Sequence, residues 1–148
     1  MTLAVAGPDV AAVWCGVDLD ERGRDVDRLW VLDVDLVHLR PGLFGELIER
    51  PAGRALFRSV CAAAPLAAQL DGLGFETLAL PPEFDPEPLI PFAVECIGLR
   101  LVRFCAPVAA KMRTQAIGAA LALKAGDPVE TALRAALITA IWLKYGVV

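Results

Sequence analysis

The sequence predicts an α/β fold: a five-stranded mixed sheet with helices on both faces, opened by an antiparallel meander of three strands. Three observations carry this. Strand-like apolar runs follow one another before Arg40 with only short links between them. Two later strands alternate with helical stretches, the pattern of crossover units. The chain then closes on a helix with a clear apolar stripe.

Thr2 to Ala6 is a short apolar run stopped by Gly7-Pro8, which reads as a buried strand and its turn. Val10 to Leu19, rich in Val and holding Trp14, is the second strand. Asp20-Glu21-Arg22-Gly23-Arg24-Asp25 is a charged, glycine-containing hairpin loop. Leu29 to Leu39 is the third strand; Leu32, Val34, Leu36 and His38 alternate with Asp33, Asp35 and Val37, so Asp33 and Asp35 are expected to mark a solvent side.

Pro41, Gly42, Gly45, Pro51 and Gly53 break up the next segment, leaving room for one helical turn around Phe44 to Ile48. From Arg54 the spacing of Leu56, Val60 and Ala64 predicts a helix, kinked or restarted at Pro65 and ended by Gly72 and Gly74. Phe75 to Leu80 is the fourth strand, stopped by Pro81-Pro82. Asp85-Pro86 is an N-cap with proline at the first helical position, opening a helix to Gly98. Leu99 to Cys105 is the fifth strand, and Pro107 opens a helical stretch to Lys124. Asp127-Pro128-Val129-Glu130 is a capping box before the last helix. In that helix Leu133, Ala136, Leu137, Ala140 and Ile141 form one stripe, and Gly146 ends it.

With 148 residues the chain is expected to be one domain, residues 1–148. Its hydrophobic fraction of 57% raises the question of a membrane, but the longest uncharged stretch, Ser59 to Leu70, is interrupted by Pro65 and too short to span one. The surplus of apolar residues points instead to a buried sheet or to surface covered in a homodimer. Met1 to Gly7 lacks the basic start of a signal peptide, and Cys15, Cys61, Cys96 and Cys105 show no C-x-x-C spacing; the expected compartment is the cytoplasm. A single histidine, His38, excludes a metal site built on imidazoles. No Gly-rich phosphate loop supports an enzyme acting on small molecules.

Charge is divided unevenly. Residues 1–87 carry 15 acids and 7 bases, whereas residues 88–148 carry 3 acids and 7 bases, within a net charge of −4. The whole disfavours indiscriminate nucleic-acid binding, but the second part can present a basic face on which Arg100, Arg103, Lys111 and Arg113 are the candidate phosphate contacts. The tryptophans, Trp14, Trp30 and Trp142, read as core or interface.

Three segments resemble the RNase H-like superfamily, and within it the branch of RuvC/YqgF-type, Holliday junction resolvase-like nucleases. Ala4-Val5-Ala6-Gly7-Pro8-Asp9 resembles the first strand with its G-x-D ending. Phe104-Cys105-Ala106, leading into Lys111-Met112-Arg113-Thr114-Gln115-Ala116-Ile117-Gly118, resembles the fifth strand and the basic segment after it. Arg134-Ala135-Ala136-Leu137-Ile138-Thr139-Ala140-Ile141-Trp142 resembles the closing helix.

The resemblance implies two Mg²⁺ (or Mn²⁺) ions held by carboxylates of the first strand, the fourth strand and the last helix, which hydrolyse a phosphodiester. The candidate ligands are Asp9, Glu83 and Glu130. It also implies branched or structured DNA or RNA as partner, and a fourth strand lying beside the first. The chain departs from the pattern where Gly7-Pro8 precedes Asp9, where Leu80, Pro81 and Pro82 occupy the neighbourhood of the strand carboxylate, and where Arg134 replaces an aspartate. The expectation is therefore a relative with an eroded metal site, associated with nucleic acid and with catalysis lost. The alternative is a non-catalytic structural or partner-binding α/β domain that forms a homodimer.

Overall fold

The computed structural model describes residues 2–6, 9–38, 40–43, 46, 59–63, 67–68, 72, 76–81, 83–113 and 128–146. Strands β1 (Thr2–Ala6), β2 (Asp9–Leu19) and β3 (Asp25–His38) form the expected antiparallel meander. They are followed by β4 (Ser59–Ala63), β5 (Glu76–Leu80), a 3₁₀ turn over Glu87–Leu89, α1 (Ile90–Gly98), β6 (Val102–Phe104), α2 (Ala106–Met112) and α3 (Pro128–Tyr145). The result is an α/β structure on one mixed six-stranded sheet, ordered β5-β4-β1-β2-β3-β6.

Two expectations need correcting. Ser59–Ala63 is a strand, not part of a helix from Arg54; it runs parallel to β1, with Thr2 opposite Cys61, and parallel to β5 along its whole length. The strand expected as fourth is therefore the fifth and lies at the sheet edge. The strand expected as fifth is the sixth, shortened to Val102–Phe104, and it extends the opposite edge by pairing with β3. Helical positions survive at Ala67 and Ala68, and at Leu43 and Glu46; the remainder of 44–58 and all of 114–127 lie outside the described residues.

The hairpin turn is held by one side chain. Asp20 accepts from the backbone N–H groups of Arg22 (2.8 Å) and Arg24 (2.9 Å) and from Nε of Arg24 (2.8 Å), an Asx turn reinforced by an ion pair. Beyond it, β3 is irregular. Asp27 sits in the left-handed region at φ 59°, and the register with β2 slips again between Trp14 and Cys15, where Leu32 is the extra residue.

Asp85 is expected to cap a helix running to Gly98, and its Oδ1 does accept from the N–H of Glu87 at 3.0 Å. This bond leads into the 3₁₀ turn, however, and the α-helix begins only at Ile90, with Leu89 at its N-cap position. The turn before β6 reverses through Arg100 at φ 59°.

Leu133, Ala136, Leu137 and Ile141 of α3 are buried, with Ala140 beside them, and α3 packs across β1, β2 and β3. Beneath it lie Ala11, Val13, Leu29, Val31, Val34 and Val102, the residues of one sheet face. The other face is covered as well. Val10, Ala12 and Trp14 have no exposed surface, so the strand face bearing Asp33 and Asp35 is not the solvent side expected from alternation. Asp33 instead pairs with Lys111 of α2, whose ammonium also donates to the carbonyl of Val34.

A strap from β5 to α1 crosses the outer part of α3. Phe84 stacks on Trp142 with centroids 5.2 Å apart, and Glu87 pairs with Arg134. At the far end Tyr145 anchors α3: its hydroxyl accepts from the N–H of Leu29 (2.9 Å) and donates toward the carbonyls of Leu101 (2.9 Å) and Asp27 (3.2 Å). No helix among the described residues is long and apolar enough to cross a membrane.

Candidate metal centre and basic surface

Asp9 opens β2, and its backbone lies in the ladder opposite Ala6 on one side and His38 on the other. Its carboxylate lies outside the described side chains. Glu130 lies in the first turns of α3, and its carboxylate is likewise outside them.

Glu83 is described: it is an exposed residue in the turn after β5. Because β4 lies between β1 and β5, that turn belongs to a strand about 10 Å from β1, two strand spacings away instead of one. Glu83 therefore does not hold the place beside the first strand that its candidacy required. The segment in that place, Ser59–Ala63, contains no carboxylate, and neither does β1 itself. Among the described residues no group of three or more His, Cys, Asp or Glu is arranged to hold a metal ion.

The last helix faces its surroundings with a cation. Arg134 is buried at 4% exposure and pairs with Glu87, whose side chain is half exposed. A guanidinium withdrawn from water requires an anion, and the strap supplies it. The sequence showed the substitution of arginine for aspartate; it gave no sign of the distant partner.

The four basic candidates lie within one chain segment, residues 100–113, which forms the edge strand β6 and α2. Arg100 is exposed in the left-handed turn before β6, Arg103 is the central residue of β6, and Lys111 and Arg113 lie at the end of α2. Lys111 is committed to Asp33 (2.7 Å) and the carbonyl of Val34 (2.6 Å), so its first role is to fasten α2 to β3. Arg100 and Arg113 are exposed.

Arg103 is the register partner of Trp30. Trp30 was legible only as an apolar core residue; its alternation with Leu29 and Val31 does mark it as facing away from the α3 core.

Among the described side chains, the thiols of Cys15, Cys96 and Cys105 are all shifted away from the reactive thiolate form. Cys15 packs against the core, and burial pushes its thiol up to about 12. Desolvation also raises Cys96, with the charge of Glu95 adding to it, and raises Cys105, with Asp18 adding to it.

No protein-family model, curated protein or solved structure matches the chain.

Proposed function

We propose that this protein is a non-catalytic, nucleic-acid-associated relative of the RuvC/YqgF-type nucleases, built on an RNase H-like sheet. The observation that supports the ancestry is the meander β1-β2-β3 followed by a parallel strand against β1, the arrangement that the resemblance implies. The observation that supports loss of catalysis is the chemistry of the three elements that would meet at a two-metal centre. β1 and β4 carry no acid, and where the resemblance implies an aspartate on the last helix α3 has Arg134, buried and paired with Glu87 of the strap. A fixed cation repels Mg²⁺ or Mn²⁺ from any site it adjoins. Under this proposal Asp9, in β2, and Glu130, in the first turn of α3, hold no metal, and Glu83 is a loop acid.

On this reading the protein binds branched or structured DNA or RNA through Arg100, Arg103 and Arg113, with Lys111 behind them. It works in the cytoplasm, where Cys15, Cys96 and Cys105 stay as free thiols. Incubation with branched and single-stranded DNA in Mg²⁺ or Mn²⁺ tests both halves. The expected result is uncut DNA and retention on DNA that weakens as salt rises. Cleavage products contradict the loss of catalysis, and absence of retention contradicts the binding role.

A second reading, a partner-binding domain that forms a homodimer, is favoured by one observation. Val17, Leu19 and Val26 stand 44%, 60% and 44% exposed on the outer part of the β2–β3 hairpin. Sedimentation of the wild type and of Leu19→Lys distinguishes a dimer through this surface from a monomer.

A further inference from the structure

Trp30 of β3 and Arg103 of β6 lie opposite each other in the parallel pair at the sheet edge. Their chain neighbours Leu29, Val31, Val102 and Phe104 belong to the core under α3, so alternation turns Trp30 and Arg103 together toward the other face. The indole Nε1 and the guanidinium Nε are both withdrawn from solvent. Neither meets a hydrogen-bond acceptor among the described residues.

A buried donor that has given up water without finding an acceptor is rare in folded proteins, and costliest when it carries charge. Two of them belong to residues opposite each other on adjacent strands and face one side of the sheet, where a single acceptor with several oxygens can serve both. Of the described carboxylates on β2 and β3, Asp18 pairs with Arg28 at 3.7 Å and Asp33 with Lys111 at 2.7 Å. Across β2, Trp30 faces Gly16, which adds no side chain to the rung.

We propose that Trp30 and Arg103 form a binding site for an oxyanion, the phosphate or carboxylate group of a small solute. The guanidinium supplies the positive charge and a donor, and the indole N–H supplies a second donor to another oxygen on the same centre. A group with two or more oxygens on one atom satisfies both, which a neutral hydroxyl does not. A free oxyanion suffices, so the site does not depend on nucleic-acid binding.

Proton–nitrogen NMR of the indole groups provides the test. The Trp30 signal is assigned by its loss in Trp30→Phe, and the protein is titrated with inorganic phosphate and, separately, with acetate. The expected result is a saturable shift of the Trp30 signal with one or both anions, while those of Trp14 and Trp142 stay in place; the two arms identify phosphate or carboxylate as the preferred group.

Arg103→Met is expected to weaken that response by about tenfold or more, the loss of one charge-assisted contact. Should Arg103→Met not fold, Arg103→Lys retains the charge without the guanidinium fork and is expected to weaken the response as well. No shift with either anion, an unchanged response in both Arg103 variants, or a long-lived water detected beside the Trp30 N–H overturns the site.

Discussion

At the scale of the residue, a few polar side chains hold an otherwise apolar assembly. Tyr145 joins the end of α3 to β3 and to the turn before β6 through one hydroxyl. Tyr145→Phe removes those bonds while the N–H of Leu29 keeps its bond to the carbonyl of Leu101, so urea unfolding is expected to register a loss of about 1 kcal/mol. Glu87→Ala removes the carboxylate that the strap brings to the buried Arg134 through Glu87. Because Glu87 is half exposed, the expected loss is about 1–2 kcal/mol, below that of a fully buried pair.

Among the described residues, two acids are held below the ordinary carboxylate range. Backbone and side-chain hydrogen bonds from Arg24 hold Asp20 below its ordinary 3.8, and Lys144 does the same for Asp25. A depressed carboxylate stabilises the fold above 3.8, and that contribution disappears as pH falls through the lower folded value. Asp20→Asn is therefore expected to flatten the fall of the melting temperature below about pH 4, compared with wild type.

Cys15 acts at the other end of the scale. Its thiol, raised from 9.0 to about 12, favours the fold below 9 and loses that contribution as pH rises toward 12. Cys15→Ala is expected to flatten the alkaline decline of the melting temperature.

Among the elements, those with punctuation or strong periodicity were legible. The meander, the Asp20 turn, the turn at Asp85 and the stripe of α3 all followed from residue type and spacing. Ser59–Ala63 was not, for a physical reason. Leu56, Val60 and Ala64 fit a helical spacing, and a short run of small apolar residues carries no period of its own; partners on both sides, β1 and β5, make it a strand. The face of Asp33 and Asp35 misled similarly, because alternation reports which side chains share a face, not what covers it.

A central strand makes its own prediction. Cys61 is flanked by Thr2 on one side and Leu78 on the other, so Cys61→Pro is expected to cost about 3 kcal/mol or more, enough to unfold most of the protein by circular dichroism.

For the whole molecule, sheet order decides more than any motif. The Asp9, Glu83 and Glu130 set depended on the strand ending at Leu80 lying beside β1. The insertion of β4 removes Glu83 from that position while leaving β1 between the meander and a parallel neighbour. The excess of bases after residue 87 gathers where β6 and α2 line the β3 edge. A mixed sheet with no acid on β1 or β4, and with Arg100, Arg103 and Arg113 on the segment that forms β6 and α2, is what the proposed binding without cutting rests on.

The most direct test follows fluorescence anisotropy of a labelled DNA junction across a salt series in Mg²⁺, with wild type and the double variant Arg100→Gln, Arg113→Gln, and then examines the same samples for cleavage. The expected result is intact DNA and an affinity that falls steeply with salt, with a slope smaller by about 1–2 in the variant, one released counterion for each lost phosphate contact. Cut DNA, or an affinity and slope that the variant leaves unchanged, contradicts it.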